Sequence, residues 1–571
     1  MAITLAGILG AGCWLRFRDL TLEPMQWDEV ENYQAMRGLL ERGFPSHQAH
    51  PDVPVEYTHT SELVMVSMGL VACGTDSDRL IVRLPGAVWS TLTILLIFFV
   101  GRRLFHTSVG LTAASLLALS PVCIAMSNFG RYFGLFQFFT LLTVYLYWLT
   151  LQGNGPIHRR TLWLTAGSFL VMFLSWEATA LVAPGMIVAA LVQRRGRLRS
   201  VVWDLQVWAA LVVVGLVVVL QYTHQVLQKT QFLWYGTSLS DVDLQPMWRY
   251  PVFQPLYYLW YTSWSQDALL PALGFGGACL LALRHGFRKP VRFLLLIHLT
   301  TALLMASVLS ALAWRYVHHL IPLLILLASA AIVALARAVV RLARQPNRRG
   351  VGPAYAWGLG AGLVATFVVL GSGLTLQLAD LLPFRLEGYG VTTYKFPYMG
   401  GAADYLRDHL QPGDAVLALD PFQVRHLLGP AAPKADLYWP ESVLLLPATL
   451  ADHGTVPIDR RDGTVALPDL ESIQDLFARS GRVWFVVRGQ GRARLDDDPS
   501  GRLGRTWFTV PSPKNQNYNT TDINLFLRDN MEVVYEDEQV LVLLRDRNHW
   551  PASLRRQQDA AISGTKANYL P

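Results

Sequence analysis

Charge is scarce in this chain: 16% of its 571 residues are Asp, Glu, Lys or Arg, against about 25% in soluble domains. With 52% hydrophobic residues beside that deficit, the chain is built for lipid rather than water. Cysteine is rarer still. Cys13, Cys73, Cys123 and Cys279 lie far apart, in or near apolar segments and in no metal-binding spacing. None follows residue 380, which excludes an internal disulfide in the C-terminal part, and buried free thiols are expected. There is no P-loop and no internal repeat. The first absence removes the phosphate cradle of many nucleotide-dependent enzymes, so no nucleotide cofactor is expected. The second removes a frequent mark of transporters.

What is present begins with long apolar runs. A spanning helix needs about 20 mostly apolar residues, and eleven candidates lie near 1–15, 81–100, 108–127, 132–151, 161–176, 178–193, 203–222, 268–284, 291–312, 316–340 and 354–379. The net charge of +7 sits in short basic loops between these runs, such as Gly101-Arg102-Arg103, Arg194 to Arg199 and Arg341 to Arg349. That placement argues against a nucleic-acid partner and follows the positive-inside pattern of a multi-pass membrane protein. It puts the N-terminus in the cytoplasm and residues 20–80, 223–265 and 380–571 outside. Arg16 and Arg18, just past the first span, run against this pattern. The first span itself is read as an uncleaved helix, starting at Met1 or upstream of it. Trp176-Glu177 must form a tight external turn between two spans. Loop 223–265 is rich in aromatics, from Phe232 to Trp264, consistent with a partly inserted amphipathic helix.

After residue 380 apolar runs shorten and charge rises. Ala402 to Leu410 reads as a helix ended by Gln411-Pro412-Gly413-Asp414, and strands are expected at 415–419, 483–487, 532–535 and 540–544. Two domains follow: 1–379, mostly transmembrane helix, and 380–571, a small α/β unit on the outer face.

Asp28 and Glu29 stand immediately outside the first span. Two carboxylates beside a bilayer surface can serve as a general base with its orienting neighbour, or hold a divalent cation through oxygen. Equally, Asp28 can cap the helix running to Leu40, with Glu31 as its capping-box partner.

The surrounding order of motifs resembles a known family. Arg16-Phe17-x-x-Leu20, then Trp27-Asp28-Glu29, Asp78 to Pro85, Gly101 to Phe105, Leu117 to Pro121, Arg131-Tyr132, and Arg315-Tyr316-Val317 before Leu320-Ile321-Pro322 are similar to the lipid-phosphate-sugar-dependent glycosyltransferases of the GT-C fold. That group includes protein O-mannosyltransferases and lipid A aminoarabinose transferases. The resemblance covers residues 14–340 and implies a GT-C-like polytopic α-helical protein with a C-terminal extracytoplasmic α/β domain. It implies transfer of a sugar from a polyprenyl-phosphate donor to an acceptor hydroxyl, with inversion. Asp28 then matches the base, accompanied by Glu29. Arg131 and Arg315 match arginines near the lipid phosphate, with Tyr132 beside the first. The other reading of both arginines is snorkelling at a helix end, and of Tyr132 an interface anchor.

One departure concerns His50-Pro51-Asp52, where relatives carry His-Pro-Pro or His-Gly-Pro. His50, Asp52, Glu56 and His59 offer atoms for a divalent cation, or form a solvated loop. His318 and Glu177 are cavity candidates, with interface packing and a wet loop apex as their alternatives. The expected partners are the donor lipid, an extracytoplasmic protein, lipid or glycan acceptor, and the bilayer, in a bacterial inner membrane. The alternative function is a lipid-linked-sugar transporter or glycan-assembly factor on the same scaffold.

Overall fold

A computed structural model describes residues 1–18, 20–21, 25, 27–47, 56–57, 61–152, 158–194, 204–233, 272–282, 288–308, 314–343, 353–371, 400–418, 421–429, 435–440, 450–453, 456–459, 465–467, 470–488, 526, 530–536 and 540–546. Its first part is helical: α1 (Ala2–Phe17), α2 (Trp27–Arg42), α3 (Glu62–Ala72), α4 (Asp78–Leu104), α5 (Thr107–Leu119), α6 (Pro121–Ser127), α7 (Phe133–Leu151), α8 (Arg159–Ser175) and α9 (Val182–Gln193). Further helices run over Leu205–Leu233, Arg288–Val308, Ile321–Ala343 and Pro353–Gly371. Among the described residues three helices, Asp78–Leu104, Phe133–Leu151 and Tyr316–Leu342, are long and apolar enough to cross a membrane, and seven apolar helices are shorter.

The expected span 108–127 is two helices, not one. Pro121 lacks the N–H that would continue α5, and instead starts α6, with Ser120 Oγ accepting from the Cys123 backbone N–H. The break exposes the last carbonyls of α5, and Arg16 closes them. Its guanidinium donates to the carbonyls of Ala118 (3.0 Å), Leu117 (2.9 Å) and Gly12 (3.1 Å) and to Ser90 Oγ (2.9 Å), and the side chain is fully buried. Arg16 therefore runs against the charge pattern because it caps a helix inside the bundle.

The tight turn at Trp176 is made by one extended residue (φ −167°) followed by a 3-10 helix over Glu177–Leu181. Elsewhere α4 and α7 approach backbone to backbone. A Cβ on Gly134 would run into the Gly86 carbonyl, and one on Gly86 would stand 2.7 Å from the Ser127 oxygen. Gly134→Ala is therefore expected to destabilise the bundle by about 1–3 kcal/mol. A thermal midpoint in detergent equal to the parent's would refute this.

After the short strands β1 (Ser46–His47) and β2 (Glu56–Tyr57), the second part forms, among the described residues, an eight-stranded mixed sheet in the order β5 (Leu450–His453), β6 (Val456–Asp459), β7 (Val465–Leu467), β4, β3, β8, β10 and β9. Its centre is parallel: β3 (Asp414–Ala418) lies between β4 (Ala435–Pro440) and β8 (Arg482–Arg488). The strand β10 (Val540–Asp546) then pairs antiparallel with β8 and with β9 (Glu532–Glu536). Alternate residues of β3 serve opposite faces, as strand geometry requires. Val416 and Ala418 pack with Leu406 and Val424 from helices Gly400–His409 and Pro421–Leu428, while Ala415 and Leu417 pack with Ile473 and Phe477 of helix Leu470–Arg479. The turn before β3 needs its glycine, since Gly413 has φ +86°. The helix and strands expected from 402 onward lie within two residues of these bounds.

Candidate active site

The helix α2 begins at Trp27, so Asp28 and Glu29 both lie within its first turn, where the helix dipole favours negative charge. Asp28 is thus inside the helix rather than the residue before it. The two acids then diverge. Glu29 is fully buried and receives Arg83 Nε at 2.7 Å on one oxygen and Arg83 Nη2 at 2.8 Å on the other. It also accepts the Gly130 backbone N–H at 2.8 Å. Arg83 donates further to the Leu20 carbonyl (3.1 Å), and Asn32 Nδ2 donates to the Gly130 carbonyl (2.8 Å). A Cβ at Gly130 would collide with Val82. These bonds tie the turn after α6 to the first turn of α2. Glu29 clamps; its oxygens face protein.

The clamp sets Arg131 beside Asp28. Arg131 Nη2 is 3.1 Å from Asp28 Oδ1, and the Asp28 side chain remains 21% exposed. Burial works against the Arg131 charge, yet Asp28 together with Tyr132, Glu31 and Tyr316 more than offsets it, holding the guanidinium above its ordinary pKa. Its Nε is buried and, among the described residues, has no hydrogen-bond partner. One arm of the fork thus meets Asp28.

Aromatic rings form the wall behind this pair. Tyr132 is buried and stacks on Trp176 at 5.0 Å with the planes 3° apart, and Trp176 continues to Tyr316 at 5.3 Å. The Arg131 guanidinium lies over the Tyr132 ring at 5.6 Å. Tyr132 is thereby a wall residue, not a residue anchored at a lipid interface.

Residues 67–222 match the family described as dolichyl-phosphate-mannose-protein mannosyltransferase. That stretch holds Arg83, Gly130, Arg131, Tyr132 and Trp176. No curated protein sequence matches the chain. Among solved structures, apo ArnT from Cupriavidus metallidurans is 14% identical, with 96% of this chain and 99% of that chain covered and a TM-score of 0.50. The same protein bound to undecaprenyl phosphate is 15% identical, with 95% and 97% covered and a TM-score of 0.51. This chain has the fold of ArnT, and part of it matches a mannosyltransferase family.

The remaining candidates fall into two groups. His318 is buried behind the wall, its Nε2 3.1 Å from Gln137 Nε2, and its ring meets Phe133 edge-on at 5.8 Å. Glu177 starts the 3-10 helix beyond Trp176 and is half-buried. His50, Asp52 and His59 lie outside the described residues, as do the side chains of Glu56 and Arg315. The backbone of Arg315 belongs to the 3-10 helix Trp314–Leu320, and that of Glu56 to a two-residue strand paired with Ser46–His47. Among the described residues no three His, Cys, Asp or Glu side chains converge to hold a metal ion.

Sequence reasoning missed Arg83, Asn32, Gly130 and Trp176 as members of the site. Arg83 carried a signal: a cation inside an apolar segment asks for a partner. Asn32 and Gly130 carried none, because their contact depends on how distant helices pack.

Proposed function

We propose that this chain transfers a sugar from a polyprenyl-phosphate donor to an acceptor hydroxyl, with inversion, at the outer face of the membrane. The observation that carries this reading is the meeting of Asp28 and Arg131 at 3.1 Å from separate elements. Further support is that the apolar bundle carries the fold of ArnT, a protein solved with undecaprenyl phosphate bound. The donor phosphate takes Arg131 through its unpartnered Nε and competes for the arm now on Asp28. Asp28 accepts the proton of the acceptor hydroxyl as that oxygen attacks the anomeric carbon. The bond from that carbon to the phosphate oxygen breaks, and its electron pair leaves with the polyprenyl phosphate. Arg131 neutralises the charge that develops there.

The membrane arrangement proposed with this reaction has residues 1–379 as an eleven-span catalytic domain, N-terminus in the cytoplasm, and residues 380–571 as an outer α/β domain. Its support is the basic-loop pattern, together with the contact of helix Pro421–Leu428 on the side of Asp28. A bacterial inner membrane suits such a layout.

The test is transfer by purified protein in nanodiscs, given labelled polyprenyl-phosphate sugar and envelope lipid, glycan and protein fractions. Label should move to an acceptor, and Arg131→Gln should raise the donor KM roughly 10–100-fold, the worth of a charge-assisted hydrogen bond of about 1.5–3 kcal/mol. Parental kinetics for Arg131→Gln would remove it from the donor site. Absence of transfer from every polyprenyl-phosphate sugar offered would reject the reaction.

A further inference from the structure

The base of α2 is held from a second side, by the sheet unit. Helix Pro421–Leu428 turns Val424 and Leu428 inward onto the sheet, with Val416 and Trp484, so its orientation is set by that core. Its other contacts reach across to the helical unit. Gln423 is buried, and its Nε2 donates to the carbonyl of Met25 at 3.0 Å, a residue itself 1% exposed. His426 Nε2 lies 3.1 Å from Asp78 Oδ2, at the first residue of α4, and its ring meets Tyr33 of α2 edge-on at 5.9 Å.

These contacts bracket Asp28. Met25 precedes it by three residues, Tyr33 follows by five, and Asp78 begins the helix whose Arg83 clamps Glu29. The bracket is made of side-chain donors rather than of apolar packing alone, and direction is what a donor adds. A carboxylate acting as base must sit within a fraction of an ångström of its working position, and a displacement of 1 Å can cost roughly 100-fold in rate. We propose that Gln423 and His426 are positioning residues: through Met25 and Asp78 the sheet unit sets the place of the Asp28 carboxylate. The sheet unit is thereby part of the catalytic apparatus. This rests on the reading of Asp28 as base.

The experiment compares the full-length parent with Gln423→Met, His426→Leu, His426→Gln and Asp28→Asn in the transfer assay, scaled to monodisperse protein. Gln423→Met keeps length and bulk and removes the amide, its donor included. His426→Gln keeps an N–H for Asp78. Gln423→Met and His426→Leu should each lower kcat about tenfold and leave the donor KM within about twofold, because Arg131 is untouched. His426→Gln should regain most of the rate. A merely structural role predicts less folded protein but a parental kcat per folded molecule, which overturns the proposal. So does a His426→Gln rate as low as that of His426→Leu. Either result with an inactive Asp28→Asn leaves the base reading standing, whereas a fully active Asp28→Asn removes that reading itself.

Discussion

Asp28→Asn is expected to lower the transfer rate by about 1,000-fold, within the range of roughly 100- to 10,000-fold that general-base catalysis supplies. Asparagine keeps the size of the side chain and an oxygen facing Arg131, so the bundle should assemble as before. It loses the negative charge and with it the basicity that the proposed reaction asks of Asp28. Since Asp28 is partly exposed and sits on the rim of the clamp, its replacement leaves no buried charge unpaired except part of Arg131's. The measurement is kcat with saturating labelled donor, alongside the elution profile in detergent. A rate within threefold of the parent's would mean another group removes the proton.

The largest expected loss of stability comes from the other acid. Glu29→Gln or Arg83→Met removes one partner of a buried ion pair, and breaking such a pair costs about 3–5 kcal/mol. The pair is enclosed almost completely, with side chains 0% and 4% exposed, so water cannot repair the loss. Replacing both partners together, as Glu29→Leu with Arg83→Met, should recover part of that cost, because no charge is then stranded. Recovery stays incomplete: the Gly130 N–H loses its acceptor and the Leu20 carbonyl loses its donor. Thermal midpoints of the three variants in one detergent read this order directly. Single variants as stable as the parent would show that the clamp does not hold α2.

These two variants separate acids that are neighbours in sequence. Adjacent residues on a helix point about 100° apart, so one first turn can send Glu29 into the bundle and leave Asp28 at its edge. No pattern in Trp27-Asp28-Glu29 says which goes where. The choice is made by Arg83, reaching from α4, and by the Gly130 backbone, which approaches only because glycine stands there. Glu29, expected to accompany Asp28 at the site, is the acid that this contact encloses. In the same way Arg131 was legible as a cation on an outer turn, but its partnership with Asp28 was not.

Composition and periodicity by themselves determined that this chain folds in lipid, that helix dominates before residue 380, and that strands follow after it. They do so because apolar runs of this length have no other stable place, and because turns such as Gln411 to Asp414 are made by local chemistry. Only the tertiary structure decided that Arg16 caps a broken helix, that Glu29 is enclosed while Asp28 meets Arg131, and that Gln423 and His426 reach back to Met25 and Asp78. Each of those is a contact between segments distant in sequence, fixed by the packing of whole elements, which no local pattern encodes.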